Sequence, residues 1–186
     1  MQIVWENRLK DDVGNSCKVS VDCKDFQINE PKPFVKKWSK RWYSFKHNVA
    51  ALRYEVAIGI RSGDIVWAAG PFPAGMKTDW MIFKDGLKKM LQPDERVEAD
   101  SGYVAGDPEF CLTPKGIWHP AEKQDLRNRL RARQETVNTR LTNFQAMSNV
   151  WRHGTTRHAM AFRAILVMVQ IQIENGNPLF EIKDYE

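Results

Sequence analysis

A chain of 186 residues with 42% hydrophobic and 27% charged residues can bury one sizeable core, which excludes a largely disordered protein and leaves little room for a second domain. The formal net charge of +5 at pH 7 is compatible with a phosphate-rich partner but does not select one. Three cysteines, Cys17, Cys23 and Cys111, show no CxxC spacing; this excludes the usual four-ligand structural zinc site and fits reduced thiols in an intracellular protein.

The first residues, MQIVWENRLKDD, are charged and lack a signal-peptide apolar core; residues 1–16 read as an N-terminal extension. KVSVD (18–22) and the following DFQI read as two short β-segments, with Cys23 and Lys24 as a tight turn between them. The stretch 30–48 is rich in Pro, Lys and aromatic residues without a clean period, and reads as a loop or an irregular hairpin. RYEVAIGI (53–60) and DIVWAAG (64–70) form the clearest hairpin, turning at 61–64 through Ser-Gly. GPFPAG (70–75) then breaks the strand pattern.

Thr78 or Asp79 can cap a helix through Trp80, Phe83, Leu87 and Leu91, ended by Pro93. RVEAD (96–100) is β-leaning. Residues 104–121 read as a loop with one short strand near 110–112. From 122 to 146 the pattern is helical, with Leu126, Leu130, Val137, Leu141 and Phe144 on an apolar stripe. Arg127, Arg131, Glu135, Asn138 and Thr142 lie on the polar stripe beside it. A last helix is expected over 156–174, stopped by Asn175-Gly176. Its stretch AMAFRAILVMVQIQI (159–173) is shorter than the roughly 20 apolar residues of a membrane span and is interrupted by Arg163, so no membrane partner is expected. This order of elements predicts an α/β layer fold with a mixed β-sheet flanked by helices.

Three carboxylates stand out by position. Asp22 follows one strand pattern, Asp100 follows another, and Glu135 lies within a helix. Two strand-end aspartates facing a helical glutamate are the parts of a two-metal phosphodiester-cleaving site, since hard divalent ions take oxygen ligands and keep several waters. Singly, each also fits a solvated turn residue or a surface ion pair. His47, His119, His153 and His158 show no metal-ligand spacing, and no Gly-rich phosphate loop appears.

Several stretches resemble the DDE superfamily endonucleases of DNA transposons, the Harbinger-type and related insertion-sequence transposases. VDCKDF (21–26) is similar to the family's first-aspartate segment, RYEVAIGIRSGDIVWAAGPFPAG (53–75) to its central hairpin and Gly-Pro turn, and VEADSGY (97–103) to its Ala-Asp-x-Gly-Tyr segment. RARQETVNTRLTNF (131–144) resembles the helix bearing the last carboxylate, and 157–181 has the family's look. Between Asp100 and Glu135 lie 34 residues, a spacing such enzymes commonly show.

The resemblance implies a ribonuclease-H-like fold over 1–186 as a single catalytic domain, with no N-terminal DNA-binding domain in this chain. It implies two Mg²⁺ or Mn²⁺ ions held by Asp22, Asp100 and Glu135, and cleavage and joining of DNA strands. Asp25, Asp79, Arg131 and Asn138 are candidates to support those ligands. Further implied partners are a second copy of the chain or a separate DNA-binding protein, and the setting is a nucleus if the source is eukaryotic.

The basic and aromatic segment 32–47 offers Lys36, Lys37, Lys40, Arg41 and Lys46 to phosphates and Trp38, Trp42, Tyr43 and Phe45 to bases, with Arg133 as a further DNA contact. A solvated loop pinned by its aromatics is the alternative. Two functional rivals remain open: a catalytically inactive recruited domain that binds DNA or protein, which Cys23-Lys24 in place of the family's usual Gly-Thr would suit, and a nuclease acting on RNA or hybrid duplexes.

Overall fold

The computed structural model describes residues 3–11, 14, 16–32, 40–103, 110–112 and 121–182. The chain forms an α/β fold built on a mixed, open six-stranded sheet. Strand β1 (Cys17–Gln27) runs through its centre without a break. The turn expected at Cys23-Lys24 is absent because both residues pair with the neighbouring strand, Cys23 opposite Glu55 and Lys24 opposite Tyr54. Alternation along β1 carries through the same point. Val19, Val21 and Cys23 face one core, while Phe26 and Ile28 face the other.

Strand β2 (Tyr43–Ser44) is short, and β3 (Val49–Gly59) pairs antiparallel with β1. Strand β4 (Ile65–Pro73) returns antiparallel along β3, so the expected hairpin stands, longer at its open end and one residue shorter on each strand at the turn. Pro71 and Pro73 are accommodated within β4 because it is an edge strand, where a missing N–H costs no ladder bond. β2 continues that same edge of β3. The Ala51 N–H donates to Trp42 O at 2.8 Å, and the Ala51 carbonyl accepts from Ala74 N at 3.2 Å. On the other side of β1, β5 (Arg96–Ala99) runs parallel to it, and β6 (Cys111–Leu112) runs parallel to β5. The main sheet order is therefore β4–β3–β1–β5–β6.

Helix α1 (Asp79–Asp85) is capped by Thr78, whose hydroxyl accepts from Met81 N at 3.3 Å. It ends at Gly86, and a 3-10 turn over Leu87–Met90 replaces the rest of the expected helix. Leu87 still reaches the core fully buried, so the apolar spacing survives the break. Helices α2 (Ala121–Thr142), α3 (Gln145–Ser148) and α4 (Thr155–Glu174) follow, and Gly176 takes up φ +97° just beyond α4.

The helices cover both faces of the sheet. α1 packs Ile82 and Phe83 on Val19, Val21, Ala57, Val66 and Val97. From α2 to α4, Val137, Leu141, Met147, Phe162, Leu166 and Val169 pack on Phe26, Leu52, Tyr54, Val56 and Ile58. Each such buried Val, Leu, Ile, Phe or Met side chain contributes about 1.5–3 kcal/mol. The N-terminal extension is part of this body: Arg8, in a 3-10 turn over Trp5–Leu9, is buried and paired to Glu95 at 2.7 Å. Among the described residues, no helix is long and apolar enough to cross a membrane.

Candidate functional site

Val21 and Ala99 are partners on the parallel strands β1 and β5. The next residues, Asp22 and Asp100, thus stand side by side where β5 ends. Asp22 lies in mid-strand, not at the strand tip expected from the sequence, and its side chain points to the α2 face. There Asn138 Nδ2 donates to Asp22 Oδ2 at 3.1 Å, and Gln134 Nε2 donates to the Ser20 carbonyl at 2.8 Å. Asp22, Asp100 and Glu135 line one cavity of about 100 Å³, with Lys46, Arg131 and Gln134 also on its wall.

The electrostatics are those of a crowded acid site. Burial raises the Asp22 carboxyl from 3.8 to about 6; the Asp100 charge adds to this, while the Asn138 hydrogen bond and Lys46 oppose it. Asp100 accepts from the Gly102 amide at 2.7 Å. A Cβ on Gly102 would sit 2.4 Å from Asp79 Oδ2 and 2.9 Å from Asp100 Oδ1, so the turn after β5 admits both carboxylates because residue 102 lacks a side chain.

Asp25 and Asp79 are joined through Arg53, on the α1 face of the sheet. The Arg53 guanidinium grips Asp25 through two bonds of 2.7 and 2.9 Å and Asp79 through one of 2.8 Å. Burial pushes both acids up. At Asp25 the hydrogen bonds from Arg53 outweigh it and hold the carboxyl below its ordinary value. At Asp79 burial, with Asp100 adding, prevails over Arg53. Beside them Glu55 is fully buried, accepting from Trp67 Nε1 at 3.1 Å and from the Tyr103 hydroxyl at 3.4 Å; burial takes it to about 7. The buried Cys23 thiol meets the same hydroxyl at 3.4 Å.

Glu135 is exposed on α2, on the wall of the shared cavity. Among the described residues, no three His, Cys, Asp or Glu side chains are grouped closely enough to hold a metal ion. The structure thus brings Asp22 next to Asp100, adds Asn138 to Asp22, and leaves Glu135 facing the cavity rather than closing on the pair.

Of the basic residues, Lys46 and Arg131 are exposed and line the cavity. Lys40 is exposed, and the half-buried Arg41 lies 5.2 Å over the Trp42 ring. Arg133 corrects the expectation of a DNA contact. It is 1% exposed and donates to the carbonyls of Gly59, Ile60 and Phe180. Lys36, Lys37, Trp38 and His119 lie outside the described residues. His158 is fully buried with Nδ1 2.8 Å from the Tyr54 hydroxyl, and burial lowers it to about 4.

Arg53, Glu55, Trp67, Tyr103 and Gln134 escape the sequence reading. The one local signal was a pair of charges, Arg53 and Glu55, alternating inside an otherwise apolar strand. No family model matches the chain, and no curated protein or solved structure matches it.

Proposed function

We propose that this chain is a metal-dependent DNA strand-cleavage and strand-transfer domain of ribonuclease-H-like fold, of the DDE transposase type. The observation that carries it is the pairing of Asp22 on the central strand with Asp100 at the end of the adjacent parallel strand, in one cavity with Glu135. The strand order and directions, three antiparallel strands followed by two parallel to the central one, support the fold assignment.

The donor set suits hard cations. Asp22 and Asp100 offer only oxygen, repel each other when both are ionised, and would be relieved by a divalent charge between them. Glu135 would complete the set from the cavity wall. When bound, two Mg²⁺ or Mn²⁺ ions supply an activated water and neutralise charge at the scissile phosphate. The chain's own groups do the positioning. Asn138 orients Asp22, the Gly102 amide orients Asp100, and Lys46 and Arg131 meet phosphate oxygens at the rim. In cleavage, a water oxygen bonds to phosphorus and the 3′-oxygen leaves as a hydroxyl. In joining, that hydroxyl attacks a target phosphorus and releases a new 3′-hydroxyl.

Calorimetric titration with Mn²⁺ and a plasmid-nicking assay, on the wild type and Asp100→Asn, test the reading. Wild type is expected to bind Mn²⁺ and nick, and Asp100→Asn to lose both while melting as wild type does. Unchanged nicking in the variant removes Asp100 from the mechanism.

A second reading, an inactive recruited domain that binds DNA or protein, is favoured by the exposure of Glu135 and the absence of a closed three-ligand group among the described residues. Wild-type protein that binds no Mn²⁺ decides for it.

A further inference from the structure

We propose that Phe45 is a stacking platform for an unpaired nucleobase at the edge of the acidic cavity, an inference that rests on the DNA reading of that cavity. The aromatic residues of this segment divide sharply. Trp42 packs against the main core, and the Tyr43 hydroxyl donates to Asn48 Oδ1 at 2.9 Å. Phe45 is 68% exposed, held edge-on by Tyr43 at 5.1 Å between ring centroids.

The turn that carries it is braced. Asn48 N donates to Ser44 O at 2.8 Å, His47 N donates to Ser44 Oγ at 3.3 Å, and Ser44 is fully buried. Asn48 takes the left-handed conformation at φ 57°, which asparagine tolerates better than most residues. The exposed ring therefore costs little further entropy to use. Lys46, next in the chain, lines the cavity with Asp22 and Asp100; Phe45 lies outside that lining, and in this proposal a strand whose phosphates meet Lys46 runs out along the turn to its ring. Among the described residues, one ring flanked by a cation matches one base on a polyanion and offers little apolar area to a protein partner.

Fluorescence anisotropy with a short labelled single strand and with a blunt duplex of the same sequence, in EDTA, tests this. Phe45→Ala is expected to weaken single-strand binding by roughly 5- to 150-fold, the range of one base–aromatic stack, and to leave duplex binding unchanged. Phe45→Trp keeps the affinity. The salt dependence of Phe45→Ala matches wild type because no charge is removed, whereas Lys46→Ala lowers that slope by about one on both substrates.

Equal single-strand affinity in Phe45→Ala and wild type overturns the proposal, as does an equal loss on duplex, which would mark a general contact. Binding is read without metal and nicking is read separately. An enzyme reading that fails on Asp100→Asn therefore leaves a positive stacking result standing. A wild type that binds neither DNA form overturns the platform whatever the nicking assay gives.

Discussion

Glu55 shows how far burial alone shifts chemistry in this protein. It pairs across from Cys23 in the β1–β3 ladder, has no exposed surface, and accepts from Trp67 and Tyr103, neither of them a cation. Its folded pKa of about 7 lies above the ordinary 4.5, so between these values the folded state holds a proton that the unfolded state has lost. The penalty for ionising Glu55 is absent below the unfolded value and complete above the folded one, so stability declines as pH rises through that window. Glu55→Gln keeps the size and remains satisfied: its carbonyl accepts from Trp67, and its amide donates to the Tyr103 oxygen. The variant is expected to match wild type near pH 4 and to exceed it well above pH 7 by on the order of 3 kcal/mol. Urea melts at both ends of the window measure this; parallel pH profiles for the two proteins would mean that Glu55 is already ionised in the fold.

β1 and α2 bring Asp22 and Glu135 to the site beside Asp100 at the end of β5, and these two elements are unequally legible. The apolar stripe of α2 could be read from spacing, and Leu130, Val137 and Leu141 are buried as it requires. Its polar stripe splits: Asn138 is buried against Asp22 while Arg131 and Glu135 stay exposed, a division set by how the helix lies on the sheet, which spacing does not encode. Read from sequence, β1 breaks at Cys23-Lys24 because the polar stretch Asp22–Asp25 resembles a turn locally, and the partner that holds Lys24 in the sheet, Tyr54, lies far along the chain. The Arg53 clamp was invisible for the same reason, each partner being more than two dozen residues away. The contact between the two elements is directly testable. Asn138→Ala removes the donor that lowers the Asp22 pKa, so that pKa rises further above about 6. In the metal-binding reading, the affinity for Mn²⁺ at neutral pH falls roughly 10- to 100-fold, the usual effect of losing a group that orients a ligand. Part of that loss returns at higher pH, where Asp22 ionises unaided. Calorimetry at two pH values checks it; an unchanged affinity at both would show that Asn138 does not prepare Asp22 for a cation.

Across the whole molecule, much of the positive charge that makes the sequence look like a DNA binder is spent on holding the fold closed. Arg129, Arg133 and Arg140 of α2 all reach the segment after α4. Arg129 donates to the Glu181 carbonyl at 2.9 Å, Arg140 to the Asn177 carbonyl at 2.7 Å, and Arg133 to the Phe180 carbonyl. Leu179 and Ile182 bury themselves alongside, so this segment straps α2 to the rest of the body. Arg133 also donates to Ile60 O at 2.5 Å, where the β3–β4 hairpin turns, and so ties both the hairpin and the strap to α2 through one guanidinium. Arg131, two residues earlier on the same helix, is exposed on the cavity wall. The two arginines should therefore fail in opposite ways. Arg133→Met keeps the apolar bulk but strands buried carbonyls, and is expected to cost about 2–4 kcal/mol of stability, from a penalty of roughly 1–3 kcal/mol for each unsatisfied group. In the DNA-binding reading, the folded fraction should bind DNA with an unaltered salt dependence. Arg131→Met should change stability by no more than about 0.5 kcal/mol and lower the salt slope of DNA binding by about one, the signature of a lost phosphate contact. Urea denaturation and binding across a salt series separate the two. A destabilised Arg131→Met, or an Arg133→Met that stays stable and loses salt dependence, would exchange their roles and move the basic face of the protein from the cavity rim to the strap.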